Sequence, residues 1–217
     1  MITAIFDLDG TLADTLEDLA DAVNYGLSAL GCPPCPLESF KQMVGDGAQM
    51  LCWRALPDDR KNLADELYKG FSSEYESRHL NKSRLYDGIS ETVAALRDAG
   101  VTLAVATNKP HDAAVKIIAG LLPDAGFITV LGSCADRPKK PDPTIIREIL
   151  AGLPAEDNTI YMIGDSNVDV RTAKNAGIIS IGCAWGFRGS AELIAENADF
   201  IAEKPQDIAK IILGREV

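Results

Sequence analysis

Four short apolar runs, rich in Ile and Val, set the pattern of this chain, and each of them ends at polar residues. The runs cover residues 2–6, 101–106, 159–163 and 178–183. A short, nearly continuous apolar run is typical of a strand that is buried on both faces of a parallel sheet. The pattern therefore predicts four buried strands.

Helical patterns alternate with these strands. They cover residues 90–99, 144–150 and 169–176, and Gly100 and Gly177 follow the first and the last of them. Glycine is the usual residue directly after a helix because it tolerates the left-handed conformation found there. Strands that alternate with helices predict an α/β fold, a Rossmann-like core whose parallel sheet is joined by right-handed crossovers.

The segment between the first two strands departs from this alternation, because it has helical periodicity but no convincing strand. An apolar stripe runs from Leu16 to Leu30 and stops at Gly31, and Leu67 and Phe71 belong to a second helix. We predict an inserted all-helical cap at residues 14–83 and a core at residues 1–13 and 84–217. Two connecting strands are expected at residues 13–15 and 83–86.

Charge narrows the classes of partner. The 217 residues carry 21 Lys and Arg against 32 Asp and Glu, a formal net charge of −11. This charge repels nucleic acid and anionic lipid surfaces, so we expect neither as a partner. It repels a small anionic substrate as well. Any phosphate site must therefore supply its own positive charge from a cation, a lysine or backbone amides.

The amino terminus and the cysteines bear on location. The first residues lack the basic region of a secretory signal, and no apolar run approaches the roughly 20 residues that span a bilayer. We expect a cytoplasmic protein, monomeric or homodimeric, with reduced thiols. Cys32 and Cys35 have the spacing of a redox pair or half a zinc site, but no second pair completes a site, and a proline-rich turn explains the segment.

The first strand runs directly into Asp7, Asp9, Gly10 and Thr11. Two carboxylates therefore stand at the carboxyl end of a strand, where open α/β sheets bind their ligands. A plain turn is the alternative, because Asp and Gly favour turns and Thr can cap a helix. The position directly after the first strand favours a functional motif.

At this motif the chain resembles the haloacid dehalogenase superfamily of phosphohydrolases, whose signature is Asp-x-Asp-x-Thr after the first strand. Three further matches follow in order along the core. Thr107 ends a predicted strand, Lys140 precedes a proline, and Asp165 lies in a Gly-Asp-Ser-Asn-Val-Asp motif after another strand. Lys139 is adjacent, but the family lysine directly precedes proline. The resemblance spans the whole core and places the predicted insert where the family has its helical cap.

The resemblance implies the chemistry. Asp7 is expected to be the nucleophile, already ionised at neutral pH and in need of charge neutralisation rather than a base. Mg²⁺ is the expected cofactor, held by Asp7, the backbone carbonyl of Asp9 and Asp165. Oxygen ligands favour Mg²⁺ over zinc. Asp9 is expected to protonate the leaving group and then to activate water, a role that separates phosphatases from dehalogenases.

Phosphate binding is expected to come from Thr107, the backbone amide of Asn108 and Lys140, which also supply the local positive field. Taken alone, Thr107 reads as a helix cap and Lys140 as a surface lysine. Asp169 is expected either to orient Lys140 or to support the metal indirectly, with a structural helix cap as the alternative.

The cap bears on the substrate. Gly45, Asp46 and Gly47 are similar to the cap loop of phosphoglycolate phosphatases, where glycines let the backbone approach a small anion. An interdomain turn is the alternative. Arg188 is either a contact to the cap or substrate or a solvated arginine. The expected substrate is a small phosphorylated metabolite, 2-phosphoglycolate in the first place.

Four rivals share parts of this pattern. A β-phosphoglucomutase-like isomerase has the same core motifs but carries a cap histidine soon after the first motif, and residues 14–19 contain none. A phosphonatase needs an early cap lysine, and Lys41 is the first lysine in the chain. A pyrophosphatase of the superfamily stays open. A non-catalytic binding protein is disfavoured by the complete set of core residues.

Overall fold

A six-stranded parallel sheet forms the centre of the molecule. The structure, a computed structural model, describes residues 1–154 and 158–214. The strands in chain order are β1 (Ile2–Phe6), β2 (Ala13–Asp14), β3 (Arg84–Leu85), β4 (Thr102–Pro110), β5 (Thr129–Ser133), β6 (Thr159–Gly164), β7 (Ile179–Cys183) and β8 (Phe200–Ala202). The sheet has the order β5-β4-β1-β6-β7-β8, and its neighbouring strands are parallel. The predicted Rossmann-like α/β core is confirmed.

Ten α-helices lie in the described ranges. They are α1 (Leu16–Ala29), α2 (Leu37–Met43), α3 (Ala48–Ala55), α4 (Ala64–Arg78), α5 (Ile89–Asp98), α6 (His111–Leu121), α7 (Thr144–Ala151), α8 (Asn167–Ala176), α9 (Gly189–Ala195) and α10 (Pro205–Leu213), with a short 3₁₀ helix at Asp58–Leu63. The helices predicted from periodicity at residues 90–99, 144–150 and 169–176 correspond to α5, α7 and α8, with ends that differ by at most two residues.

The two faces of the sheet bury different helices. Along β1, Phe6 packs into a cluster with α5, α6 and α10, whereas Ile5 points to the opposite face and packs with α7 and α8. Successive side chains of a strand point to opposite faces, so an apolar run with no alternation needs cover on both sides. This double cover explains why β1 is apolar throughout.

The segment of residues 16–78 has a hydrophobic cluster of its own, built from α1 to α4. The helices α1 and α4 approach closely at Gly26, where a Cβ would stand 2.7 Å from a methyl carbon of Leu67. On either side of this segment, β2 and β3 pair antiparallel with each other. The predicted connecting strands are thus present, while the division into domains at residues 13/14 and 83/84 stays a proposal.

The sheet order brings three strand ends to one place. The strand β1 lies between β4 and β6, so the chain proceeds from β1 outward to β4 and β5 on one side and to β6, β7 and β8 on the other. Ligands of open α/β sheets bind at such a switch point, beyond the carboxyl ends of the strands. The residues after β1, at the end of β4 and after β6 therefore meet. None of the helices in the described ranges is long and apolar enough to cross a membrane.

Candidate active site

Asp7 lies at the end of β1, and its backbone N–H donates to the carbonyl of Ile163 at 2.8 Å. The chain then turns sharply at Gly10, which has a φ of +80°. A Cβ at Gly10 would lie only 2.7 Å from Cγ of Asp165, so a side chain there would push against that carboxylate. The glycine in the motif therefore permits the β1 loop to approach the β6 loop closely.

Three buried carboxylates converge at this edge of the sheet. Asp7 follows β1, Asp165 follows β6, and Asp169 lies in the first turn of α8. One oxygen from each lies within 4.8 Å of the others, a spacing that allows a common cation. Within residues 1–154 and 158–214 this is the one group of three or more acidic, histidine or cysteine side chains with such a spacing.

The electrostatics of this cluster favour an added positive charge. Burial raises the pKa of Asp7 to about 6, although the nearby ammonium of Lys140 opposes the shift. Burial, together with the charges of Asp169 and Asp7, raises the pKa of Asp165 well above its ordinary value. Clustered carboxylates out of water resist ionisation unless a cation balances them. Asp7 Oδ1 lies 3.0 Å from Lys140 Nζ but receives no well-aligned hydrogen bond, which leaves it available as a ligand.

Lys140 supplies part of that balance. Its ammonium is almost fully buried and lies 2.6 Å from Asp169, 3.0 Å from Asp7 and 2.9 Å from the carbonyl of Ala106. Although burial lowers the pKa of Lys140, the carboxylates of Asp169 and Asp7 raise it above its ordinary value. Lys140 is therefore a cation beside Asp7, and its reading as a solvated surface lysine is wrong.

Asp169 has two structural tasks. Its Oδ1 accepts from Lys140, while its Oδ2 accepts from the backbone N–H of Ser166 at 3.2 Å and from the Ser166 hydroxyl at 2.7 Å. The bond from the Ser166 backbone, with the reciprocal bond from the Asp169 backbone N–H to the Ser166 side chain, forms a capping box at the start of α8. The two interpretations offered by the sequence, a helix cap and an orienting group for Lys140, are thus both present in one side chain.

Thr107 and Asn108 are buried near the end of β4, which extends to Pro110 and not to Ala106 as predicted. Asn108 bridges two segments. Its Nδ2 donates to the carbonyls of Gly45 and Lys140 at 2.9 and 3.0 Å, and its Oδ1 accepts from the backbone N–H of Lys140 at 2.8 Å. The side chain of Asn108, which sequence reasoning left without a task, therefore holds both the lysine segment and the cap loop.

Asp9 contacts Lys109, a residue that was not predicted from the sequence. Its Oδ1 accepts from the hydroxyl of Thr15 at 2.6 Å, and both of its carboxylate oxygens accept from Lys109 Nζ, at 2.9 and 3.1 Å. Lys109 is buried next to Asn108 at the end of β4. The available signal was a lysine two positions after Thr107, directly before the proline that ends the strand.

The cap loop reaches the same cavity. Gly45 and Gly47 line it together with Asp7, Asp9 and Thr107. Asp46 is not among the lining residues, and its carboxylate forms an ion pair with Arg54 of α3. Asp46 thus anchors the loop, while the backbone at the two glycines faces the cavity.

Arg188 joins the cap loop to the core. One guanidinium nitrogen donates to the carbonyl of Val44 at 2.9 Å, and a second one donates to the side-chain oxygen of Gln42. The choice between a cap contact and a solvated arginine is therefore decided in favour of the contact. Cys32 and Cys35 lie away from the cavity, and all five cysteines are free thiols. The Sγ of Cys35 contacts the carbonyl of Ala55 at 3.3 Å, and among the described residues neither cysteine belongs to a disulfide or to a cluster of three possible metal ligands.

The sequence matches the family described as haloacid dehalogenase-like hydrolase over residues 4–183. The chain belongs to this family. A curated relative, the phosphoglycolate phosphatase of Vibrio parahaemolyticus, is 34% identical over 95% of this chain and 94% of its own length.

Solved structures are similar to this chain over nearly its whole length. A protein of Lactobacillus delbrueckii subsp. bulgaricus, provisionally assigned as a phosphoglycolate phosphatase, superposes with a TM-score of 0.89 at 28% identity and covers 98% of both chains. CbbY of Rhodobacter sphaeroides, solved in complex with phosphate, has a TM-score of 0.76 at 26% identity over 96% of both chains. The relatives thus extend over the helical segment as well as the sheet.

Proposed function

We infer that this hydrolase acts on phosphoric monoesters, and we propose 2-phosphoglycolate as its substrate, Mg²⁺ as its cofactor and Asp7 as the nucleophile. Family membership and the curated relatives support the reaction class. The observation that carries the proposed mechanism is the convergence of Asp7 and Asp165 within 4.8 Å, with the Lys140 ammonium 3.0 Å from Asp7.

The donor set fits Mg²⁺. Asp7 and Asp165 would hold the ion together with the backbone carbonyl of Asp9, and oxygen donors of this kind are the ligands that Mg²⁺ prefers. When bound, Mg²⁺ neutralises charge between the carboxylates and the phosphate. Asp169 is a poor candidate for a direct ligand, because both of its oxygens already accept hydrogen bonds from Lys140 and Ser166.

In the first chemical step a carboxylate oxygen of Asp7 attacks phosphorus, and the bond from phosphorus to the ester oxygen breaks. The departing alkoxide takes a proton from Asp9, giving glycolate and an aspartyl phosphate. Lys140 and the groups at Thr107 and Asn108 bind the phosphoryl oxygens and stabilise their charge in the transition state.

In the second step Asp9 takes a proton from water while the water oxygen attacks the phosphorus of the aspartyl phosphate. The bond from phosphorus to Asp7 breaks and inorganic phosphate leaves. The short contacts of Asp9 with Thr15 and Lys109 fix the carboxylate beside the nucleophile, as both proton transfers require.

A release assay for inorganic phosphate tests this function. The substrates are 2-phosphoglycolate, sugar phosphates, nucleotides and pyrophosphate, each with Mg²⁺ and with a chelator. We expect Mg²⁺-dependent release, highest for 2-phosphoglycolate. Preference for pyrophosphate would favour the pyrophosphatase, and isomerisation of a sugar phosphate without release would favour the β-phosphoglucomutase-like isomerase. Absence of any turnover would favour the non-catalytic binding protein.

Three further assignments stay proposals. They are the core at residues 1–13 and 84–217 with the cap at residues 14–83, the cytoplasmic location, and the monomeric or homodimeric state. The separate hydrophobic cluster of α1 to α4 and the β2–β3 pair support the division into domains.

A further inference from the structure

Lys109 is a cation inside the candidate active site that the proposed mechanism does not need for the phosphate. Its side chain is 1% exposed, and its ammonium contacts both oxygens of Asp9. A charged ammonium at such depth, where water cannot screen it, interacts strongly with any anion that enters the cavity.

Tyr75 lies beside the same ammonium. It lies in α4, is 5% exposed and lines the cavity, and the Lys109 ammonium is 4.8 Å from the centre of its ring. Its buried hydroxyl has no hydrogen-bond partner within the described part of the chain. A buried hydroxyl without a partner is costly, so its presence beside a cation indicates a ligand group that it can donate to.

Two other cations near the cavity, Lys140 and Arg188, already have protein partners. Lys140 contacts Asp7 and Asp169, on the side where the phosphate is expected. Arg188 donates to the cap loop and lies 3.8 Å from Glu192. Lys109 has three N–H groups, and within residues 1–154 and 158–214 its one acidic partner is Asp9. One donor therefore remains for a second anion.

The distances limit the size of the ligand. The ester oxygen must come within hydrogen-bond reach of Asp9, roughly 2.8 Å, to receive its proton. Lys109 Nζ is within 3.1 Å of both Asp9 oxygens. The ester oxygen and the ammonium are then within about 6 Å of each other. An anionic group joined to the ester oxygen by one or two carbons can therefore reach Lys109 while the ester oxygen stays at Asp9.

We propose that Lys109 and Tyr75 form a binding position for the carboxylate of the substrate, so that the enzyme selects phosphomonoesters of short hydroxy acids. This inference rests on the proposed function and adds to it the residues that select the leaving group. Lys109 comes from the core and Tyr75 from the helical segment, so the two sides of the cavity recognise the carboxylate together.

The test compares two substrates that differ only in this group. 2-Phosphoglycolate carries a carboxylate where 2-hydroxyethyl phosphate carries a neutral alcohol. The measured quantity is the ratio of kcat/KM for the first substrate to that for the second. A charge-assisted hydrogen bond changes such a ratio by roughly 10-fold to 100-fold. We expect Lys109→Met to lower the ratio by about this factor, mainly through a higher KM for 2-phosphoglycolate.

Two further variants separate the effect of the Tyr75 hydroxyl from that of the Lys109 charge. Tyr75→Phe retains the ring beside Lys109 and removes only the unpartnered hydroxyl, and we expect the ratio to fall by roughly 3-fold to 10-fold. Lys109→Arg keeps the cation and should retain more of the ratio than Lys109→Met. Lys116→Met is the matched control, because this exposed lysine of α6 forms an ion pair with the exposed Glu76, away from the lining of the cavity. We expect its ratio to equal that of the original protein.

The outcomes separate the inference from the function on which it rests. If Lys109→Met lowers kcat/KM equally for both substrates, Lys109 only positions Asp9 and the carboxylate position is wrong. If the original protein hydrolyses both substrates equally well, the inference fails while the phosphatase function stands. If neither substrate is hydrolysed, the proposed function itself fails. If Lys109→Met does not fold, an unchanged ratio in Tyr75→Phe overturns the shared position.

Discussion

The ammonium of Lys140 lies 2.6 Å from Asp169 Oδ1, and both side chains are buried. Lys140 is also 3.0 Å from Asp7, so Asp169 fixes the position of a cation that faces the proposed nucleophile. Because Asp169 also belongs to the capping box of α8, the position of this cation depends on the start of the helix that follows β6.

Replacement of Asp169 by asparagine should lower kcat for 2-phosphoglycolate. The carboxamide oxygen can still accept from Ser166, so the helix cap is largely kept, but the negative charge beside Lys140 is lost. A hydrogen bond between charged groups contributes about 1.5 to 3 kcal/mol, which corresponds to roughly 10-fold to 100-fold in rate. Steady-state kinetics measure the change. Asp136→Asn, at an exposed loop position, is the control, and equal kcat values for the two variants would contradict the role of Asp169.

Asp7→Asn should abolish turnover, with a loss of at least about 1000-fold, because a carboxamide cannot act as the nucleophile. The variant should keep its fold, since the two side chains have nearly the same size and the amide carries no buried charge. Phosphate release and circular dichroism measure the two properties. Persistent turnover close to that of the original protein would remove Asp7 from the mechanism.

Asp9→Asn should slow both proton transfers and trap the aspartyl phosphate if some first-step activity remains. Intact-protein mass spectrometry after mixing with substrate detects the phosphorylated chain. The same substitution leaves the ammonium of Lys109 without its carboxylate, so we also expect a loss of about 3 kcal/mol in the free energy of unfolding. Kinetics identical to those of the original protein would rule out an acid and base role for Asp9.

The metal-free protein should lose stability as the pH rises from about 4 to about 6. Burial raises the pKa of Asp7 from an ordinary 3.8 to about 6 in the folded protein. The folded state therefore binds this proton more tightly than the unfolded chain does, and the stabilisation is complete below 3.8 and lost as the pH passes 6. Chemical unfolding in a chelator measures the slope. Asp7→Asn should reduce it, and an identical slope in this variant would contradict the assignment.

Gly47→Ala should impair activity more than a comparable change elsewhere. Gly47 has a φ of +88°, and a Cβ there would lie 3.2 Å from the backbone oxygen of Asn108. We expect kcat/KM to fall roughly 10-fold as the cap loop is displaced. Gly31→Ala is the matched control, because Gly31 also has a positive φ but open space around its Cβ position. Both variants should lose about 1 kcal/mol of stability, and equal activities would contradict the prediction.

The four strands with continuous apolar runs were predictable because burial on both faces leaves a direct mark on the sequence. The two edge strands were not. Thr129–Ser133 is only partly buried and contains Gly132, and Phe200–Ala202 has three residues, so neither forms a distinct apolar run. Edge strands receive less cover, and their composition is correspondingly mixed.

In the candidate site, too, some residues were predictable from the sequence and others were not. Asp7, Asp165 and Lys140 were found because each belongs to a motif at a strand end. Lys109 was missed because a lysine is usually exposed, and only the approach of Asp9 from β1 explains its burial. Asp46 was expected at the substrate, yet its ion pair with Arg54 depends on the packing of α3, which the local sequence does not reveal.

The side chain of Asn108 has a mechanical consequence. Its amide holds the peptide of Lys140 with two hydrogen bonds and the carbonyl of Gly45 with a third. Any displacement of the loop at Gly45 away from the sheet must break that third bond, while the two bonds to the Lys140 peptide hold the amide in place. One amide group thus couples the position of the loop to the segment that carries the proposed phosphate-binding lysine.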